Sequence, residues 1–96
     1  MTLRELLRER RTEIELIAER HGARNLRVFG SVARDDARAD SDIDLLIDTG
    51  PQTSSWFPSG LILDLQDLLG RRVEVVTEKA LRPEIRERVL SEAVPL

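Results

Sequence analysis

The sequence has 96 residues, 41% of them hydrophobic, which fits one domain with a modest core and is too apolar for a disordered tail. It has no cysteine, which excludes a disulfide framework or thiolate metal site, and no apolar run near the roughly 20 residues of a membrane span. A net charge of −3, from 15 basic and 18 acidic residues, argues against stable binding to a nucleic-acid backbone.

The charged N-terminal stretch, Met1 to Glu5, lacks the apolar core of a signal peptide, so the expected compartment is the cytoplasm. Thr2 followed by Glu5 reads as a capping box, and Leu3, Leu6, Leu7, Ile14, Ile17 and Ala18 fall at helical spacing. One helix is expected from about Thr2 to His21, closed by Gly22. His21, the only histidine, sits where its charge would suit the helix end. Leu26, Val28 and Phe29 suggest a short first strand that stops at Gly30-Ser31, with a turn or short helix over 32–37.

Ile43, Leu45 and Ile47 alternate with Asp42, Asp44 and Leu46, which reads as a second strand. Residues 49–60, with two Pro, two Gly and three Ser, form a loop by composition, and this loop carries Trp56 and Phe57. The leucines from Leu61 to Leu69 predict a helix closed by Gly70, followed by a third strand over Val73 to Val76. Pro83 suits the first turn of a last helix, with Ile85, Val89 and Leu90 facing inward. The apolar tail Ala93 to Leu96 is expected to be exposed, as are parts of the first helix and the loop around Trp56. The pattern predicts a single α/β (α+β) domain over 1–96: a small mixed sheet of three or slightly more strands, with flanking helices.

The chemistry concentrates between Gly30 and Leu46. A Gly-Ser pair between a strand and a helix offers close backbone approach, a hydroxyl and free N–H groups, which are the parts of a phosphate cradle. Asp42 and Asp44, two apart on a strand, point to the same face. Two carboxylates so placed repel each other, and a divalent cation such as Mg²⁺ turns that repulsion into attraction. Glu74 sits in an otherwise apolar strand, where an acidic residue is costly unless exposed, paired or metal-bound. The three carboxylates together would suit two metal ions and in-line nucleotidyl transfer. Arg34 fits a triphosphate partner equally with an ion pair to Asp36 or Asp40. The site closes only if the first two strands are antiparallel and the third runs parallel to the second, with the leucine-rich helix as crossover.

Gly30-Ser31-x-Ala33-Arg34, then Ser41-Asp42-Ile43-Asp44-Leu45-Leu46, resembles the signature of polymerase-beta-like nucleotidyltransferases, and most of all that of the minimal nucleotidyltransferases. The resemblance covers nearly the whole chain. It implies the superfamily's palm fold, with Asp42, Asp44 and a third acidic residue, here Glu74 in place of the common Asp, as catalytic metal ligands. It implies Gly30, Ser31 and Arg34 at the nucleotide, ATP as substrate and Mg²⁺ as cofactor. It further implies a HEPN-type RNase toxin as partner in a heteromeric complex, with AMP transferred to a toxin tyrosine. The alternative is a catalytically weak antitoxin that neutralises the toxin by binding alone. Transfer to a small molecule such as an aminoglycoside calls for a second acceptor-binding domain, and a stand-alone polymerase fits poorly with that size and charge.

Overall fold

Thr2 opens the first helix as expected: the Glu5 N–H donates to Thr2 Oγ1 at 3.1 Å and the Thr2 N–H to Glu5 Oε1 at 3.4 Å. The computed structural model, which describes residues 1–96, divides the expected long helix at Arg10 into α1 (Leu3–Glu9) and α2 (Arg11–His21). Arg10 takes φ −97° and ψ 11°, outside the helical well, and its side chain pairs with Glu13 of the next turn at 3.0 Å. The division lets Leu3 and Leu7 on one half, and Ile14, Ile17 and Ala18 on the other, all reach the core. Gly22 ends α2 at φ 86°, and a Cβ there would collide with the backbone of Gln52 and Thr53. No helix is long and apolar enough to cross a membrane.

Strand β1 (Ala23–Phe29) begins three residues before the expected Leu26. Its register against β2 (Ile43–Thr49) slips between Arg24 and Arg27, and Asn25 adopts φ 52° there. This bulge puts Ala23, Leu26 and Val28 all in the core despite broken alternation. A four-residue helix, α3 (Gly30–Ala33), follows β1 directly. Helix α4 (Ser59–Leu69) then leads to β3 (Val73–Thr77), a 3₁₀ turn over Glu78–Ala80, and α5 (Pro83–Glu92).

β1 and β2 are antiparallel, and β3 runs parallel to β2, as the site required. The tail expected to be exposed is instead a fourth strand. β4 (Val94–Pro95) pairs antiparallel with Arg27 and Val28, giving the order β3-β2-β1-β4. Val94 and Leu96 pack against the core, while Pro95, which cannot donate to a ladder, lies on an edge strand where none is needed. Leu90, expected to face inward, is exposed, because Val89 takes the inward position of α5.

The two sheet faces are covered unequally. Val28, Ile43, Leu45, Ile47 and Val73 join residues of α1, α2 and α4 in one continuous core. On the opposite face Leu46 packs with Leu81 and Val89, flanked by Phe29, Val76 and Ile85. This smaller cluster covers only part of its face.

Candidate active site

Pairing across the sheet aligns three positions in one row: Phe29 opposite Asp44, and Asp44 opposite Glu74. Side chains of directly paired residues project from the same face. Asp42, two residues before Asp44, shares it. Two residues further along, the same face presents Leu46 and Val76, which α5 covers. Asp42 and Asp44 are partly exposed and Glu74 is exposed, so the carboxylates lie on a ledge open to solvent. Four surface cavities of about 460 to 710 Å³ are lined by other residues and include none of Asp42, Asp44 and Glu74.

Gly30 brings the first strand's end against this ledge. Its φ is 73°, and a Cβ there would run into the Asp44 carboxylate. Only glycine both adopts that backbone easily and lets Asp44 lie against it. Ser31 is half-buried in the first turn of α3, where N–H groups lack internal partners.

The electrostatics fit a cation-holding site. Burial, then the charge of Glu74, a proton shared with it and the charge of Asp42, push the Asp44 pKa up to about 6; Arg34 opposes this. The three carboxylates share one face without being gathered into a single cluster. Asp42 leans toward Arg72, with Oδ1 3.9 Å from Nε, and Glu74 stands exposed on the edge strand. Hard oxygen donors in this number suit Mg²⁺ once a substrate phosphate adds to them.

A pH dependence follows. The folded chain holds the Asp44 proton more tightly than the unfolded chain does. Metal-free stability should therefore fall as pH rises from about 4 to about 6, with the full cost of the ionised carboxylate present above about 6. After solvent screening that cost is about 1–2 kcal/mol. Urea unfolding of wild type and Asp44→Asn in EDTA across pH 4–8 measures it. The variant should be the more stable at pH 8, and equal stabilities there would contradict the cost of ionising Asp44.

Arg34 is held on two sides. Its Nη1 donates to Glu92 Oε1 at 2.7 Å and its Nε to Asp36 Oδ2 at 3.3 Å, and these contacts raise its pKa. The Gly30 N–H donates to the other Glu92 oxygen at 3.1 Å. The Asp36 pairing was among those the sequence left open, while Glu92 was not singled out at all. The available signal was its place at the C-terminal end of α5, where the helix dipole opposes a negative charge and a carboxylate needs a cationic or N–H partner.

Other marked residues lie elsewhere. His21 bridges Ser54 Oγ at 2.6 Å and Asp64 Oδ2 at 2.7 Å, tying α2 to the loop between β2 and α4 and to α4 itself. Trp56 is 87% exposed, and Phe57 packs on the core.

The profile of the Nucleotidyltransferase domain matches residues 4–96. A protein of Methanocaldococcus jannaschii, named as a candidate protein adenylyltransferase, is 34% identical over 88 residues, covering 92% of this chain and 95% of the relative. Protein adenylyltransferase MntA of Thermococcus cleftensis is 40% identical over 78 residues, 81% of this chain and 79% of its own. A solved structure described as a candidate minimal nucleotidyltransferase superposes with a TM-score of 0.84 at 48% identity, covering 100% of this chain and 97% of that one. A chain from a toxin–antitoxin crystal structure with AMP-PNP shares the fold, with a TM-score of 0.71 at 17% identity over 88% of this chain and 69% of that one.

Proposed function

Because the chain belongs to the nucleotidyltransferase-domain family, and is a minimal nucleotidyltransferase by relatives and fold alike, we propose that it transfers AMP from ATP to a tyrosine hydroxyl of a HEPN-type toxin and so acts as its antitoxin. The observation that carries this reading is the row of Asp44 and Glu74, with Asp42 beside it, facing the Gly30-Ser31 turn on an open ledge. A relative named protein adenylyltransferase supports AMP and a protein acceptor. The toxin–antitoxin assembly in which a similarly folded chain occurs supports the kind of partner.

In this reading Gly30, Ser31 and Arg34 hold the triphosphate, and Asp42, Asp44 and Glu74 hold Mg²⁺, up to two ions. Bound there, the metal supplies charge neutralisation at the reacting phosphate and at the leaving pyrophosphate. The acceptor oxygen attacks the α-phosphorus, the bond to the bridging oxygen of the β-phosphate breaks, and pyrophosphate leaves. Glu74, the most exposed of the three carboxylates, helps take the hydroxyl proton. The open ledge suits an acceptor presented by a second protein, whose docking provides orientation. Co-expression with the toxin tests the reading. Nucleotide mass on the toxin supports it. An unmodified toxin that Asp42→Asn and Asp44→Asn variants still neutralise fully identifies an antitoxin that works by occupancy alone.

A further inference from the structure

We propose that Glu92 is a positioning residue for nucleotide binding: from the end of α5 its carboxylate accepts the Gly30 N–H, which holds the Gly30-Ser31 turn in place, and fixes the Arg34 guanidinium in the geometry that receives the triphosphate. This rests on the assignment of Arg34 and Gly30 to the nucleotide.

The contacts are specific. One Glu92 oxygen accepts from Arg34 Nη1 at 2.7 Å and the other from the Gly30 N–H at 3.1 Å, so one carboxylate spans both ends of the Gly30–Arg34 segment. Asp36 takes a second guanidinium donor, at Nε. An arginine has five N–H donors in a rigid fork, so these two bonds leave the rest of the fork free.

Burial decides between positioning and obstruction. The Glu92 side chain is 13% exposed and that of Arg34 49% exposed. The carboxylate is therefore the inner and the guanidinium the outer member of the pair, so Arg34 is the one accessible to an arriving phosphate. A carboxylate standing in the phosphate's place would have the reverse exposure. Burial alone would raise the Glu92 pKa, yet the Arg34 guanidinium and the Gly30 N–H hold it below the usual carboxylate range, so the anion persists under the cation. Its location is equally fixed. Glu92 is the last residue of α5, and two residues later β4 pairs with Val28 of β1, the strand that ends at Gly30. The C-terminal pairing thus ties the positioning carboxylate to the turn it supports.

The test is a double-mutant cycle on the full chain. The dissociation constant of a non-hydrolysable ATP analogue with Mg²⁺ is measured by calorimetry, beside the melting temperature. Glu92→Ala should weaken binding about tenfold, as loss of a charge-assisted hydrogen bond does. Arg34→Ala should weaken it at least as much, and adding Glu92→Ala to Arg34→Ala should cost less than threefold more. Glu92→Gln keeps an acceptor for Gly30 but loses the charge opposite Arg34, so it should fall between wild type and Glu92→Ala. If Glu92→Ala does not fold, Glu92→Gln replaces it in the cycle. Arg34→Ala weakening binding while neither Glu92 variant does would overturn the positioning role and leave the nucleotide assignment standing. Unchanged binding in Arg34→Ala would overturn both. Tighter binding in either Glu92 variant would make the carboxylate an obstruction, and additive losses in the double variant would show that it does not act through Arg34.

Discussion

Asp44→Asn should lower nucleotidyl transfer about a thousandfold or more while the fold remains. Asn matches Asp in shape, so the contact with Gly30 persists, and the β2 ladder does not involve the side chain. What disappears is the carboxylate charge at the centre of the row that joins β1, β2 and β3, the proposed metal ligand. Lewis-acid stabilisation is worth several kcal/mol, and each 1.36 kcal/mol is tenfold in rate. Asp42→Asn should fall in the same range, because Asp42 lies on the same face two residues away. Glu74→Gln should lose most of its rate while retaining part of its ATP binding, since Glu74 is the exposed member of the row and sits on the edge strand. Single-turnover transfer rates, with circular dichroism to verify folding, measure all three. Wild-type rates in both Asp variants would place the chemistry elsewhere in the chain.

The second large effect is ligand linkage. ATP and Mg²⁺ together should raise the melting temperature by about 10–20 °C at 100 times the dissociation constant. That concentration adds about 2.7 kcal/mol, and each kcal/mol is worth roughly 4–8 °C in a domain of this size. A cation offsets both the burial of the Asp44 carboxylate, which is the main reason its pKa is raised, and its repulsion by Glu74 and Asp42, so the gain should vanish in EDTA. Scanning calorimetry with ATP, ATP plus Mg²⁺ and ATP plus EDTA separates the contributions. An equal shift in EDTA would remove the metal from the account.

Much of this architecture was legible because local and global signals agreed. The spacing of Gly30-Ser31 from Asp42 and Asp44, with Glu74 on a later strand, dictated which strands had to be parallel, and the sheet has that arrangement. The capping box and the left-handed glycines at positions 22 and 70 are local chemistry, and they appear as read. The misreadings are tertiary. The break at Arg10 carries no Pro or Gly to announce it. The bulge at Asn25 disguised the first half of β1 by shifting its apolar phase. Val94-Pro95 is too short and too proline-marked to read as a strand, and only the unpaired edge of β1 makes it one. Glu92 escaped notice for the same reason: its partners Gly30 and Arg34 lie some sixty residues away, and folding alone brings them together.

AMP transfer is tested most directly by following the label when the chain, the proposed toxin partner and Mg²⁺ are incubated with ATP carrying radiolabel at either the α- or the γ-phosphate. Label should reach a toxin tyrosine from the α-position only, released pyrophosphate should carry the γ-label, and neither product should form with Asp44→Asn. Label arriving from the γ-position, or a toxin that is silenced yet unlabelled, would contradict AMP transfer.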